Sequence, residues 1–165
     1  MSSLKQRYFA SRIYYGMDLR QVIARKFYLV FRNPLLFYKR HTVRTRGLVW
    51  HQGKILLVRN IKGTQRWTLP GGGRKLMENY EQAWEREIQE EVKLKVNRIK
   101  DLGLVKGPHG QRYYIFSGHA EEQEYTTRKW EILDANWFKP DNLPDYPSPV
   151  IKMALEEFNR GGKRV

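Results

Sequence analysis

Cysteine is missing altogether from the 165 residues. That excludes disulfides, cysteine-based zinc sites and thiol nucleophiles. Long apolar runs are missing too, and nothing approaches the roughly 18 residues a membrane-spanning helix needs. The longest candidates, Phe27 to Phe31 and Leu35 to Tyr38, are short and flanked by Arg and Lys. No secretory signal is therefore expected, and the chain reads as cytoplasmic. Internal repeats and low-complexity tracts are absent as well. What is present suits one domain with a real core: 41% of residues are hydrophobic and 13% aromatic.

Acidic residues are scarce in one region. The net charge is +14, and residues 1–46 hold eleven Lys and Arg against a single acid, Asp18. This imbalance points to anionic partners and divides the chain into a basic N-terminal arm, 1–42, and a domain, 43–165. Within the arm, Leu19, Val22, Ile23, Phe27 and Val30 recur at helical spacing behind Asp18, a candidate N-cap. The pattern predicts an amphipathic basic helix that stops near Asn33-Pro34. Such a helix has three uses that the residues leave open. It can lie on an anionic membrane surface, as a peripheral attachment. It can hold a nucleic-acid backbone. It can also simply pack on the domain or on a second subunit.

Beyond the arm the periodicity changes. Thr42–Trp50 and Lys54–Arg59 read as strands joined by a hairpin at His51-Gln52-Gly53. Further strands are expected at 98–105, 111–119 and 129–138. The clearest helix runs from Tyr80 to Val92. Asn79 can cap it, Gln82 completes a capping box, and Tyr80, Trp84, Ile88 and Val92 form a buried stripe. A closing helix is expected over 149–159. Strands interleaved with two helices make an α/β layered fold.

The chemistry concentrates in Gly71–Leu94. Glu87, Glu90 and Glu91 stand at i, i+3 and i+4, so their carboxylates share one helix face. Two carboxylates about 5 Å apart repel by roughly 3 kcal/mol at an effective dielectric of 20. A charge run on a helix is most often a solvated face, but this one is explained if a divalent cation sits over it. Oxygen-only ligands suit Mg²⁺ or Mn²⁺ rather than zinc. Gly71, Gly72 and Gly73 just before the helix let backbone approach a metal or a phosphate, since no Cβ intrudes.

The spacing Gly72-x5-Glu78-x7-Arg86-Glu87-Ile88-x-Glu90-Glu91-x-Lys93-Leu94 resembles the Nudix box. Eight of its nine specified positions match. Trp67-Thr68-Leu69-Pro70, the hairpin at 44–59 and Trp137-Phe138…Leu143-Pro144 extend the likeness. The resemblance implies an α/β/α sandwich with a mixed sheet. It also implies hydrolysis of a nucleoside diphosphate linked to another group, with Mg²⁺ or Mn²⁺. Carried over residue by residue, Glu90 and Glu91 match the metal-binding pair, and the Gly71 carbonyl is a further candidate ligand. Glu87 matches a position that binds metal or acts as base. Arg86 would orient the carboxylates and Glu78 would brace the loop.

Two departures stand out. Lys93 replaces the glycine that usually allows a left-handed exit from the helix, so either Lys takes that strained conformation or the helix runs on by a turn. Arg74-Lys75-Leu76-Met77 follows the glycines, where its charges would grip substrate phosphates or have no role. A further acid outside the box is expected, and Glu131 is the choice over Glu121, Glu122, Glu124 and Asp134. His109 lies in a turn that could overhang the site. Tyr114 and Phe116 share a strand face opposite Tyr113, for core packing or base stacking. Three functions follow: a small-nucleotide pyrophosphohydrolase, a non-catalytic nucleotide-sensing or RNA-binding module, or a hydrolase of RNA ends that uses the arm.

Overall fold

The structure, a computed structural model, describes residues 18–24, 43–128 and 130–161. Of the arm helix, residues 19–24 are helical. Asp18 caps them: the Gln21 backbone N–H donates to Asp18 Oδ1 at 2.9 Å, while the Asp18 N–H donates to Gln21 Oε1 at 3.0 Å. The expected continuation to Asn33 lies outside the described residues, as do the proposed contacts of the arm.

The domain runs β1 (Val43–His51), β2 (Lys54–Asn60), β3 (Trp67–Thr68), α1 (Tyr80–Val92), β4 (Val96–Lys106), β5 (Arg112–Ala120), β6 (Ile132–Phe138) and α2 (Pro149–Asn159). The β1–β2 turn places both Gln52 and Gly53 at positive φ, 47° and 73°. That twist matches the flanking strands and makes the tight hairpin. The sheet is mixed. Its order is β3-β2-β1-β5-β4, with β1 and β5 parallel and β6 antiparallel to β2. β1 and β2 pair only near the turn, at Trp50–Ile55 and His51–Lys54. Past it they separate, and the segment from Trp67 to Gly73 fills the gap. Its first residues pair with β2. Its last lie along β1, where the Thr45 N–H donates to the Gly72 carbonyl at 2.8 Å.

Alternation along the strands feeds two cores. Val49, Leu56, Val58 and Phe116 pack on one face against Trp84, Ile88 and Val92 of α1. Leu48, Ile55, Leu57 and Ile115 pack on the other against Val150, Ile151 and Ala154 of α2. This is the expected α/β/α sandwich. α1 sits close because β1 offers Gly47, where a Cβ would lie 2.3 Å from the Trp84 ring.

Two strand boundaries differ from expectation. β4 begins at Val96 rather than 98, and its register slips between Asn97 and Lys100 with Arg98 at φ 50°. A bulge breaks the period-two pattern by which a strand is read. β6 begins at Ile132 rather than 129, because the N–H groups of Glu131 and Ile132 both donate to the Arg128 carbonyl and form a turn first. In α1 the stripe holds, with Tyr80 half-buried and Ala83 and Glu91 added to it. No helix among the described residues is long and apolar enough to cross a membrane.

Candidate active site

α1 starts and stops by local chemistry. Asn79 and Gln82 exchange side-chain and backbone bonds at 2.8 and 3.0 Å, completing the capping box. At the other end Lys93 takes the left-handed conformation, φ 61° and ψ 22°. The helix therefore does not run on; the lysine accepts a conformation that costs an L-residue about 1 kcal/mol.

Glu91 turns inward from the last turn of α1 and is 3% exposed. Its Oε2 accepts from the Gly71 N–H at 2.9 Å. Burial pushes its carboxyl up to about 7; Arg46 and the Gly71 N–H pull the other way, and Glu87 and Glu131 add to the rise. Gly71 is held at φ 134°, and a Cβ there would lie 2.5 Å from the Thr45 carbonyl oxygen. Only glycine fits both demands. Glu87 lies against Gly72, where a Cβ would come within 2.4 Å of its carboxyl carbon. The glycine strip thus forms a cradle for two of the three helix carboxylates.

Arg86 holds the loop to the helix. Its Nε and Nη2 donate to the two oxygens of Glu78 at 2.6 and 3.1 Å, its Nη1 to Glu87 at 2.9 Å and its Nη2 to the Gly73 carbonyl at 2.8 Å. The bond to Arg86, with the Lys75 N–H second, draws the Glu78 carboxyl below its usual range. Arg86 is correspondingly raised, first by Glu78.

Glu90 is held by three cations: Lys75 Nζ at 3.2 Å, Arg86 Nη1 at 3.4 Å and Arg128 Nη1 at 3.2 Å. Burial alone would raise its carboxyl, but these charges outweigh it and the net shift is downward. Lys75 therefore pairs with the box's own acid, and Arg74 donates to the Glu78 carbonyl at 2.8 Å. The expectations for the Arg74–Met77 loop did not include these contacts within the chain.

The β5–β6 connection brings in the outside acid. Its Thr126 and Arg128 N–H groups donate to the Val92 and Glu91 carbonyls, which a helix end leaves without partners. This docking places Arg128 between Glu90 and Glu131, the latter at 3.4 Å. Asp134 instead pairs with Arg59 at 3.1 Å on the sheet, and Glu121 lines a groove with Glu85 and Lys95. Glu131 is thus the member of that group joined to the helix carboxylates. Tyr114 and Phe116 go to packing: Tyr80, Tyr114, Phe116 and Trp84 stack in sequence at 4.8 to 5.5 Å under α1.

A cavity of about 330 Å³ is lined by Arg44, Arg46, Asn60, Lys62, Arg66 and Glu131, among others. Arg46 is 7% exposed, and its Nη1 has no hydrogen-bond partner; the buried Asn60 Oδ1 has none either. Burial, then Arg44, lowers the Arg46 guanidinium from its ordinary value, while Glu91 and Glu87 support its charge. Sequence reading missed this wall. The signal was available: Arg44 and Arg46 alternate in register with buried Leu48, so the strand turns both cations toward the same face as its core residue.

The three helix carboxylates do not surround a common point: among the described residues no three His, Asp or Glu side chains are gathered for a metal. The donor set nonetheless fits a hard dication. It is oxygen-only, it includes a buried carboxylate with one N–H partner, and it lies on a strip with no Cβ to block approach.

A model of the NUDIX domain matches residues 41–156. The chain is 42% identical over 55 residues to an RNA pyrophosphohydrolase of Teredinibacter turnerae, covering 33% of this chain and 32% of that protein. It is 30% identical over 110 residues to the NAD-capped RNA hydrolase NudC of Salmonella heidelberg, covering 64% and 43%. A MutT NUDIX hydrolase from Burkholderia pseudomallei superposes with a TM-score of 0.61 at 26% identity, covering 70% of this chain and 96% of that one. The chain therefore spans less than half the length of both curated relatives.

Proposed function

Because this chain belongs to the Nudix family, we propose that it hydrolyses a phosphoanhydride bond in a substrate linking a nucleoside diphosphate to another group, with Mg²⁺ or Mn²⁺ as cofactor. The observation that carries the reading is Glu91. A carboxylate this buried, supported by the Arg46 guanidinium and a single backbone N–H but still raised and set beside Glu87, is an arrangement that a cation would relieve. Glu87, Glu90 and Glu91 would hold the metal. Bound there, it supplies charge neutralisation on the phosphates and a water more readily deprotonated.

The chain's own residues do the rest. Arg86 fixes Glu87 and Glu78 across the glycine strip, so the carboxylates are set before substrate arrives. Glu131 lines the arginine-lined cavity next to Arg128, where it can accept a proton from the attacking water. Arg44 and Arg46 face the same cavity and offer guanidinium forks to phosphate oxygens. Gly71–Gly73 keep side chains out of the approach. Residues 43–165 form the unit to which we assign this activity.

Glu90→Gln tests the reading. Metal-dependent release of phosphate or pyrophosphate should fall on the order of 100- to 1000-fold. The circular dichroism spectrum should not change, because Glu90 is a surface group of the helix. Turnover equal to the parent protein would remove the mechanism.

A further inference from the structure

The positive wall is larger than a two-phosphate linkage requires. Three guanidinium groups, those of Arg44, Arg46 and Arg66, line the 330 Å³ cavity with Glu131, a carboxylate that already contacts Arg128 at 3.4 Å. Arg46 is nearly excluded from water, with Arg44 on one hand and the Glu91 and Glu87 carboxylates on the other, and one of its guanidinium nitrogens is unsatisfied. A buried donor left without an acceptor costs free energy until an anion supplies one. Asn60, with its unsatisfied carbonyl oxygen in the same wall, can accept from a protonated phosphate oxygen or a bridging water. Among the described residues no aromatic side chain lines this compartment on which a base could stack.

Rings occur farther along. Past Arg66, Thr64 and Ser148 lies a second cavity of about 340 Å³, which these three residues share with the first. Tyr113 and His109 line it. The guanidinium groups line the first cavity together with Glu131, which Arg128 joins to Glu90, and the rings line its neighbour. A diphosphate bridge brings two negative charges, which the metal at the carboxylates would largely neutralise. That would leave the guanidinium wall without a counterpart. A triphosphate brings about four.

We propose, on the premise of the hydrolase reading above, that the substrate class is a 5′-triphosphate rather than a two-phosphate linkage, and that Arg44, Arg46 and Arg66 read phosphate number. A free nucleoside triphosphate and the 5′ end of an RNA share this chemistry. The wall holds the phosphates remote from the attacked phosphorus, and the organic group continues toward Tyr113.

Two measurements test this on the full chain. The first compares kcat/KM for ATP and for a 5′-triphosphorylated oligoribonucleotide with that for ADP-ribose and UDP-glucose. At least one triphosphate should be preferred about tenfold or more, the size of one charge-assisted hydrogen bond. Preference for the oligoribonucleotide over ATP identifies the RNA end as the source, and the reverse identifies the free nucleotide. In Arg44→Ala and Arg66→Ala the preference should collapse through a raised KM for the triphosphate.

The second measurement needs no turnover. Inorganic tripolyphosphate and pyrophosphate are titrated calorimetrically into the metal-free protein. Tripolyphosphate should bind about tenfold tighter, and Arg46→Gln, which keeps a polar side chain of similar reach, should abolish the difference. Equal binding of the two anions, or equal use of triphosphates and diphosphate-linked substrates, overturns the proposal while leaving the hydrolase reading intact. Absence of any hydrolysis, with tripolyphosphate still preferred, would instead remove the hydrolase reading and keep the anion site.

Discussion

On the helix side of Gly71–Gly73, each of Glu78, Glu87, Glu90 and Glu91 already has a cation or an N–H from the chain itself. On the strand side, neither Arg44 nor Arg66 enters an ion pair among the described residues, and Arg46 keeps an unsatisfied nitrogen. The helix-side carboxylates are thus paired within the chain, while among the described residues Arg44 and Arg66 are not ion-paired. A dication must displace Lys75, Arg86 or Arg128 from Glu90, whereas an anion reaching Arg44 or Arg66 breaks no ion pair among the described residues. The two walls are therefore suited to different events: exchange of one cation for another, and direct addition of an anion.

The comparison can be broken most severely at the strip between the walls. In Gly72→Ala the new Cβ would meet the Glu87 carboxyl carbon at 2.4 Å and push that side chain from its cradle. Turnover should drop on the order of 100-fold or more, with KM for the phosphate portion much less affected because the arginines are untouched. Steady-state kinetics separate the two constants; a KM effect alone would mean that the strip serves the basic wall.

A second experiment sharpens the difference in burial. Glu91 titrates near 7 in the fold against an ordinary 4.5. Between those values the folded protein binds more protons than the unfolded chain, so stability falls as pH rises through the window. The total is on the order of 3 kcal/mol. Urea denaturation in EDTA from pH 4.5 to 8 should show the decline, and Glu91→Gln should flatten it. The lowered carboxyls of Glu78 and Glu90 act in the opposite sense, but only in more acidic solution. The smallest effect lies at the helix exit. Lys93→Gly removes the strain of a left-handed lysine and should raise stability by about 1 kcal/mol, seen as a higher Tm with unchanged kinetics.

Local features were readable where the signal lies within a few residues. The bounds of α1 followed from Asn79, Gln82 and a four-residue repeat, and α2 from Pro149 and the apolar spacing behind it. The β1–β2 hairpin followed from a two-residue turn. β4 was misjudged because its bulges interrupt alternation, and β6 because a turn at Arg128 consumes its first residues. Arg46 was overlooked for a different reason. A cation in a strand is ordinarily solvent-facing; alternation with Leu48 gives its face, while the pairing of β1 with β5 and the divergence of β1 from β2 bury it beside a cavity.

The order of residues alone set which side chains share the α1 face and where that helix begins and ends, since both depend on contacts three or four positions apart. It also carried the family, because the box is contiguous. Tertiary structure decided which groups answer one another across distance: Lys75, Arg86 and Arg128 on Glu90, Gly71 on Glu91, and Arg44 and Arg46 with Glu131 about one cavity. Those meetings join the glycine loop, α1, the β5–β6 connection and β1. Closing such loops is governed by the packing of the two cores rather than by any local preference.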